Sequence, residues 1–199
     1  MTDNGPLSEY FRTAVITGMR PGELSGLRWD DLDAVGFIIC VQRSLGWKTS
    51  GKGWTLSPPK TAKGRREITI SKSLVVTLIE LKKRQDAHRD AAGANYKDKG
   101  FIFVDEAGSP LKRDVLRRVF KEALATAGLP KNIRLHDLRH TSATLLLKAG
   151  ENIKVVSERL GHANVSITLE IYAHVLPGMQ RDAANRMEEL LNSDPKHTK

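Results

Sequence analysis

Apolar positions recur along this chain at two spacings, one helical and one alternating. Between Pro6 and about Leu27 the spacing is helical as far as the turn Gly18-Met19-Arg20-Pro21-Gly22, and Glu23, Leu24 and Leu27 then open a short second helix. A rigid turn at that place would present Arg20. From Gly36 to Trp47 β-branched and aromatic residues predict a strand, and the run Arg66 to Ile70 predicts another. The intervening stretch reads as a hairpin extension with a basic tip. Leu74, Leu78 and Leu81 predict a long helix after Ser73, interrupted by Gly93 and the polar run to Gly100. Phe101 to Val104 reads as a buried strand. A further helix is expected to be capped by Ser109, to carry Pro110 at its first position, to bury Leu111, Val115, Val119, Ala123 and Leu124, and to end at Gly128.

Four more helical segments follow, beginning near His136, Asn152, Ser166 and Gly178. In the first of them Leu138, Ala143, Leu145 and Leu146 are expected to pack, leaving His136, Arg139 and His140 on an overlapping exposed arc. The predicted fold class is α+β, predominantly α-helical with a small antiparallel β-sheet, and not a doubly wound nucleotide-binding fold. Residues 1–199 show no internal repeat and no linker that would divide them.

Charge adds a partner to this picture. The formal net charge is +9, which favours a polyanion, because clustered Lys and Arg release counterions from nucleic acid. Residues 51–72 concentrate the excess, with Lys52, Lys60, Lys63, Arg65, Arg66 and Lys72 against Glu67 alone, and this section is expected to face phosphate. With 40% hydrophobic residues and no apolar run near the roughly 20 residues that span a bilayer, no membrane partner is expected. The single cysteine, Cys40, allows no internal disulfide and is expected in the core. The N-terminal residues lack a basic flank and apolar stretch of the secretory kind, which points to the cytoplasm.

Several residues could act on a phosphate ester. Arg20 and Arg139 could clamp nonbridging oxygens, because a guanidinium offers directed donors and keeps its charge as phosphorus becomes five-coordinate. His136 lies three residues before Arg139 on one helical face, and His162 follows the end of the next helix; either imidazole could donate to phosphate or move a proton. Tyr172 could attack phosphorus, provided a base or favourable field assists a phenol of ordinary pKa near 10. Lys60 or Lys63 in the basic hairpin could protonate a departing oxygen. His136 and His140 have i,i+4 spacing, but the string HDLRH is not the zinc-binding HExxH, so no metal site is expected.

Taken in order, TGMRPGELSGLRW, SPPKTAKGRREITI, LHDLRHTSATLLLKAG and ERLGHANVSITLEIYAHV resemble the catalytic domain of the tyrosine recombinases, particularly phage-type integrases. The resemblance runs along nearly the whole chain. It implies that Arg20, Arg139 and His162 bind the scissile phosphate, that His136 handles a proton, and that Tyr172 is the covalent nucleophile. It makes Lys60 the closer match to the catalytic lysine, with Lys63 as the alternative. Glu23 and His140 become supporting residues, and His174 a secondary one near the nucleophile.

The resemblance further implies site-specific recombination of double-stranded DNA by phosphotyrosyl transesterification, with no cofactor for the chemical step. It also implies a homotetrameric synaptic assembly of the full-length protein, with DNA-bending accessory proteins as possible partners. Residues 1–199 would then be a catalytic domain shortened on its N-terminal side. Residues 179–192 would be a packing or trans-docking helix with Met179, Ala183, Met187 and Leu190 on its apolar side. A noncatalytic DNA-binding fragment and a type IB topoisomerase-like activity are the alternatives.

Overall fold

The computed structural model describes residues 6–48, 53–59, 62–172 and 179–192. Helix α1 (Pro6–Thr17) leads through the turn at Gly18 into the short α2 (Pro21–Ser25). Strands β1 (Leu32–Asp33), β2 (Ile38–Val41) and β5 (Arg66–Thr69) form an antiparallel sheet in the order β1-β2-β5, with Ile39 opposite Ile68. Strands β3 (Ser44–Trp47) and β4 (Trp54–Ser57) make a separate two-stranded hairpin. Helix α3 (Lys72–Ala92) follows, then α4 (Arg113–Thr126), α5 (Asp137–Lys148), α6 (Ile153–Leu160), α7 (Val165–Tyr172) and α8 (Met179–Asn192). The fold is thus α+β and mostly helical, as expected from the pattern. Among the described residues no helix is long and apolar enough to cross a membrane.

The main apolar cluster joins Tyr10 and Ala14 of α1, Leu24 of α2, Ile39, Val41 and Ile68 of the sheet, Leu74, Leu78 and Leu81 of α3, and Ile102, Phe103 and Leu116. Each Val, Leu, Ile or Phe among them contributes about 1.5–3 kcal/mol when fully buried. A second cluster joins α5, α6 and α7 through Ala143, Leu147, Val156, Leu160 and Tyr172. Gly18 links the two regions. Its φ of +64° suits glycine, and a Cβ there would lie 2.8 Å from Leu160 Cδ2, so only glycine lets the α1–α2 turn meet α6.

Tertiary packing changed several local expectations. The strand read as continuous from Gly36 to Trp47 is divided between two sheets, because β2 pairs with β5 while β3 turns away to pair with β4. Phe101 to Val104 is buried but forms only isolated bridges, Arg28 with Phe101 and Val104 with Pro110. That second bridge holds Pro110 outside the helix, so α4 starts at Arg113 behind Lys112, not behind Ser109. Its buried face is consequently Leu116, Phe120 and Leu124, with Val115 and Val119 half-buried and Ala123 exposed. On α5 Leu145 is 55% exposed, since α6 covers the neighbouring arc that carries Ala143 and Leu147. Cys40 is half-buried, because strand alternation sends Ile39 and Val41 into the core.

Candidate active site

Arg20 is the N-cap residue of α2, in extended backbone conformation immediately before Pro21. The Tyr10 hydroxyl donates to the Pro21 carbonyl at 3.0 Å and lies 3.1 Å from Ser25 Oγ, which fixes the turn on α1. Glu23 completes the cap. Its Oε2 accepts from the Arg20 backbone N–H at 3.0 Å and its Oε1 from Arg20 Nη1 at 2.8 Å. Buried to 3% exposure, this carboxyl is held below its ordinary pKa: burial pushes it up, but bonds and charge from Arg66 and Arg20 outweigh that. Arg20 itself keeps 41% of its side chain exposed, so one edge of its guanidinium is tied and the other is free for a ligand.

Arg139 departs from the exposed arc expected for it. The residue is 3% exposed, and its Nη1 donates to the Gly18 carbonyl at 2.8 Å. Its Nη2 is buried and has no hydrogen-bond partner among the described residues. Burial, followed by the Arg20 charge, depresses its pKa to about 9, against a smaller opposing pull from Glu23. A cation desolvated to this degree, with an unused donor and a like charge nearby, can accept an anion, which would relieve all three penalties.

Three imidazoles and one phenol complete the cluster. His140 Nδ1 lies 2.9 Å from Tyr172 Oη. The His136 ring meets the His140 ring edge to face, with centroids 5.3 Å apart. Loss of solvent, then the charges of His140 and Arg139, lower the His136 pKa. His162 stands after Gly161, the left-handed cap of α6, and its Nδ1 lies 2.8 Å from the hydroxyl of the buried Thr168. Burial, then Arg139, Arg20 and Arg66, bring the His162 pKa down to about 4, so its ring is neutral near pH 7. Tyr172 is 2% exposed within the second apolar cluster; burial raises its pKa and the Arg139 charge partly offsets this.

The structure therefore gathers Arg20, Glu23, His136, Arg139, His140, His162 and Tyr172 in one electrostatic neighbourhood. Lys63 is exposed in the turn Ala62–Gly64, while Lys60 and His174 lie outside the described residues. His140, expected as a supporting residue, is the imidazole in direct contact with the phenol. Arg66, counted with the phosphate-facing cations, is turned inward at 7% side-chain exposure and bonds Glu23. Sequence reasoning missed this role and that of Thr168. The signal for Arg66 is strand alternation, which puts it on the same face of β5 as the buried Ile68 and in line with the buried Ile70, and Thr168 offered none. Among the described residues no group of three or more His, Cys, Asp or Glu side chains could hold a metal ion.

Fold and site together define a tyrosine-recombinase catalytic domain. The chain belongs to the phage integrase family, whose model matches residues 5–179. It is 37% identical over 194 residues to a XerC-like tyrosine recombinase of Caldanaerobacter subterraneus subsp. tengcongensis, covering 92% of this chain and 49% of that protein. It is 32% identical to the ICEBs1 integrase of Bacillus subtilis, covering 92% and 48%. The chain thus spans about half the length of these curated relatives. Among solved structures, the Tn1549 transposon integrase in complex with circular intermediate DNA superposes with a TM-score of 0.74 at 28% identity, over 90% of this chain and 59% of that one. The catalytic domain of bacteriophage HP1 integrase shares the fold, with a TM-score of 0.53 at 23% identity over 90% and 88% of the two chains.

Proposed function

We propose that this chain carries out phosphotyrosyl transesterification on double-stranded DNA, as the catalytic part of a site-specific recombinase. The observation that carries this is the buried, unpartnered Arg139 Nη2 within the electrostatic reach of Arg20 and Tyr172. Arg20 and Arg139 hold the scissile phosphate, with His162 donating to a nonbridging oxygen. Tyr172 Oη forms the new bond to phosphorus, and the bond to the 5′ oxygen breaks. The phenolic proton passes to the His140–His136 pair, and Lys60, or Lys63 in its place, gives a proton to the departing oxygen. One phosphate ester replaces another, so the step needs no nucleotide energy source and no cofactor.

Four protomers and two duplexes would exchange strands sequentially through a four-way junction, with DNA-bending proteins as possible accessories, on DNA in the cytoplasm. Residues 1–199 act in this scheme as one catalytic unit, and α8 as its docking helix. Met187 and Leu191 on α8, 59% and 79% exposed, support a docking role, since apolar side chains so placed lack a covering surface. Met179, Ala183 and Leu190 have side chains outside the described residues.

The direct test is a denaturing assay for a covalent complex with nicked suicide DNA carrying the native crossover sequence, alongside Tyr172→Phe and Lys60→Ala. A 3′-linked adduct that disappears in Tyr172→Phe is the expected result. Binding without any adduct would reduce the chain to a DNA-binding or partner-dependent module.

A further inference from the structure

Arg66 sits where three segments of the site meet. From β5 its Nη2 donates to Glu23 Oε2 at 3.0 Å, and the other oxygen of that carboxylate holds Arg20. Its Nη1 donates to the Gly64 carbonyl at 3.1 Å, at the end of the turn that contains Lys63 and follows Lys60. Its Nε donates to the Arg159 carbonyl at 2.7 Å, in the last turn of the helix that leads to His162. Gly161 lies against the same guanidinium, where a Cβ would come within 2.8 Å of Nη1. The Arg159 side chain reinforces the junction, its Nη1 and Nη2 donating to the Thr69 and Ile16 carbonyls.

We infer that Arg66 is a positioning residue that holds Arg20, the lysine-bearing connection between β4 and β5, and His162 in one fixed arrangement around the phosphate. This rests on the transesterification proposed above. A guanidinium suits the task because its donors diverge in one rigid plane, so that three acceptors on three chain segments are fixed relative to one another. A lysine would keep the charge opposite Glu23 but could not serve three diverging acceptors at these angles. The connection between β4 and β5 depends on the junction through the Gly64 carbonyl, which Arg66 holds, while Lys63 and Arg65 on either side of Gly64 are exposed.

The test measures adduct formation by the full-length protein at saturating suicide DNA, comparing wild type with Arg66→Lys and Arg66→Met, with unfolding curves and DNA affinities alongside. A second substrate carries sulfur in place of the leaving 5′ oxygen, so that the departing thiolate needs no proton. Both folded variants are expected to bind DNA within about threefold of wild type and to form adduct at least about tenfold more slowly on the oxygen substrate. On the sulfur substrate the loss should shrink severalfold, because placement of the lysine no longer limits departure. A wild-type rate in Arg66→Lys, equal losses on both substrates, or losses that follow the unfolded fraction would each overturn the positioning role. If wild type forms no adduct that Tyr172→Phe removes, the transesterification itself fails and this role falls with it; an adduct in wild type with Arg66→Lys unimpaired sinks only the role of Arg66.

Discussion

His140 Nδ1 stands 2.9 Å from Tyr172 Oη, and the His136 ring meets that imidazole edge to face at 5.3 Å. His136 is the N-cap of α5, one turn before His140, so their edge-to-face contact follows from helix geometry, whereas the contact with Tyr172 joins α5 to α7 across the second apolar cluster. Burial raises the phenol's pKa, and His140 lies within hydrogen-bond reach to take its proton.

His140→Ala is therefore expected to slow adduct formation about 100-fold while DNA affinity is retained. A rate equal to wild type in single-turnover cleavage would reduce the contact to packing.

Tyr172→Phe removes one hydrogen bond from a side chain otherwise packed among Ala143, Leu147 and Val156. Stability should fall by only about 1 kcal/mol, while the adduct vanishes. Denaturant melts together with the covalent-complex assay separate the two effects.

In the proposed reaction Arg139 serves as an anion site maintained at the expense of stability. Arg139→Met removes a desolvated charge with an unused donor, leaving the Gly18 carbonyl to lose one bond. Stability should change by no more than about 1 kcal/mol or rise, while cleavage is abolished and DNA affinity at low salt weakens. A large loss of stability would show that the guanidinium serves the fold first.

Gly161→Ala places a Cβ 2.8 Å from Arg66 Nη1 at a φ of +70°. The expected cost is about 1–3 kcal/mol. Cleavage should fall further than the melting curve explains, because the Arg66 junction is displaced as well.

His162 carries a pH signature. Its folded pKa of about 4 lies below the ordinary 6.5, so between these values the unfolded chain binds more protons than the folded one. The contribution of this group to stability is complete above pH 6.5 and is lost as pH falls towards 4. Urea midpoints of wild type relative to His162→Asn should accordingly decline between pH 7 and pH 4.5. A constant difference would contradict the depressed pKa.

Much of this protein is written in local sequence. The helical spacing of Leu74, Leu78 and Leu81 predicts α3, because packing one face of a helix demands that period, and all three are buried. The Gly18 to Gly22 turn presents Arg20 as read, since proline and glycine restrict the backbone locally. The order of the motifs was enough to indicate the family. What required tertiary structure was the side each charged group faces. Arg139 and Arg66 read as exposed cations, yet both are buried, because their partners are a carbonyl 121 residues away and a carboxylate 43 residues away. The division of the Gly36–Trp47 strand and the late start of α4 were likewise decided by pairing with distant segments. Periodicity reports which positions alternate, but desolvation and hydrogen bonding depend on what the rest of the chain brings alongside them.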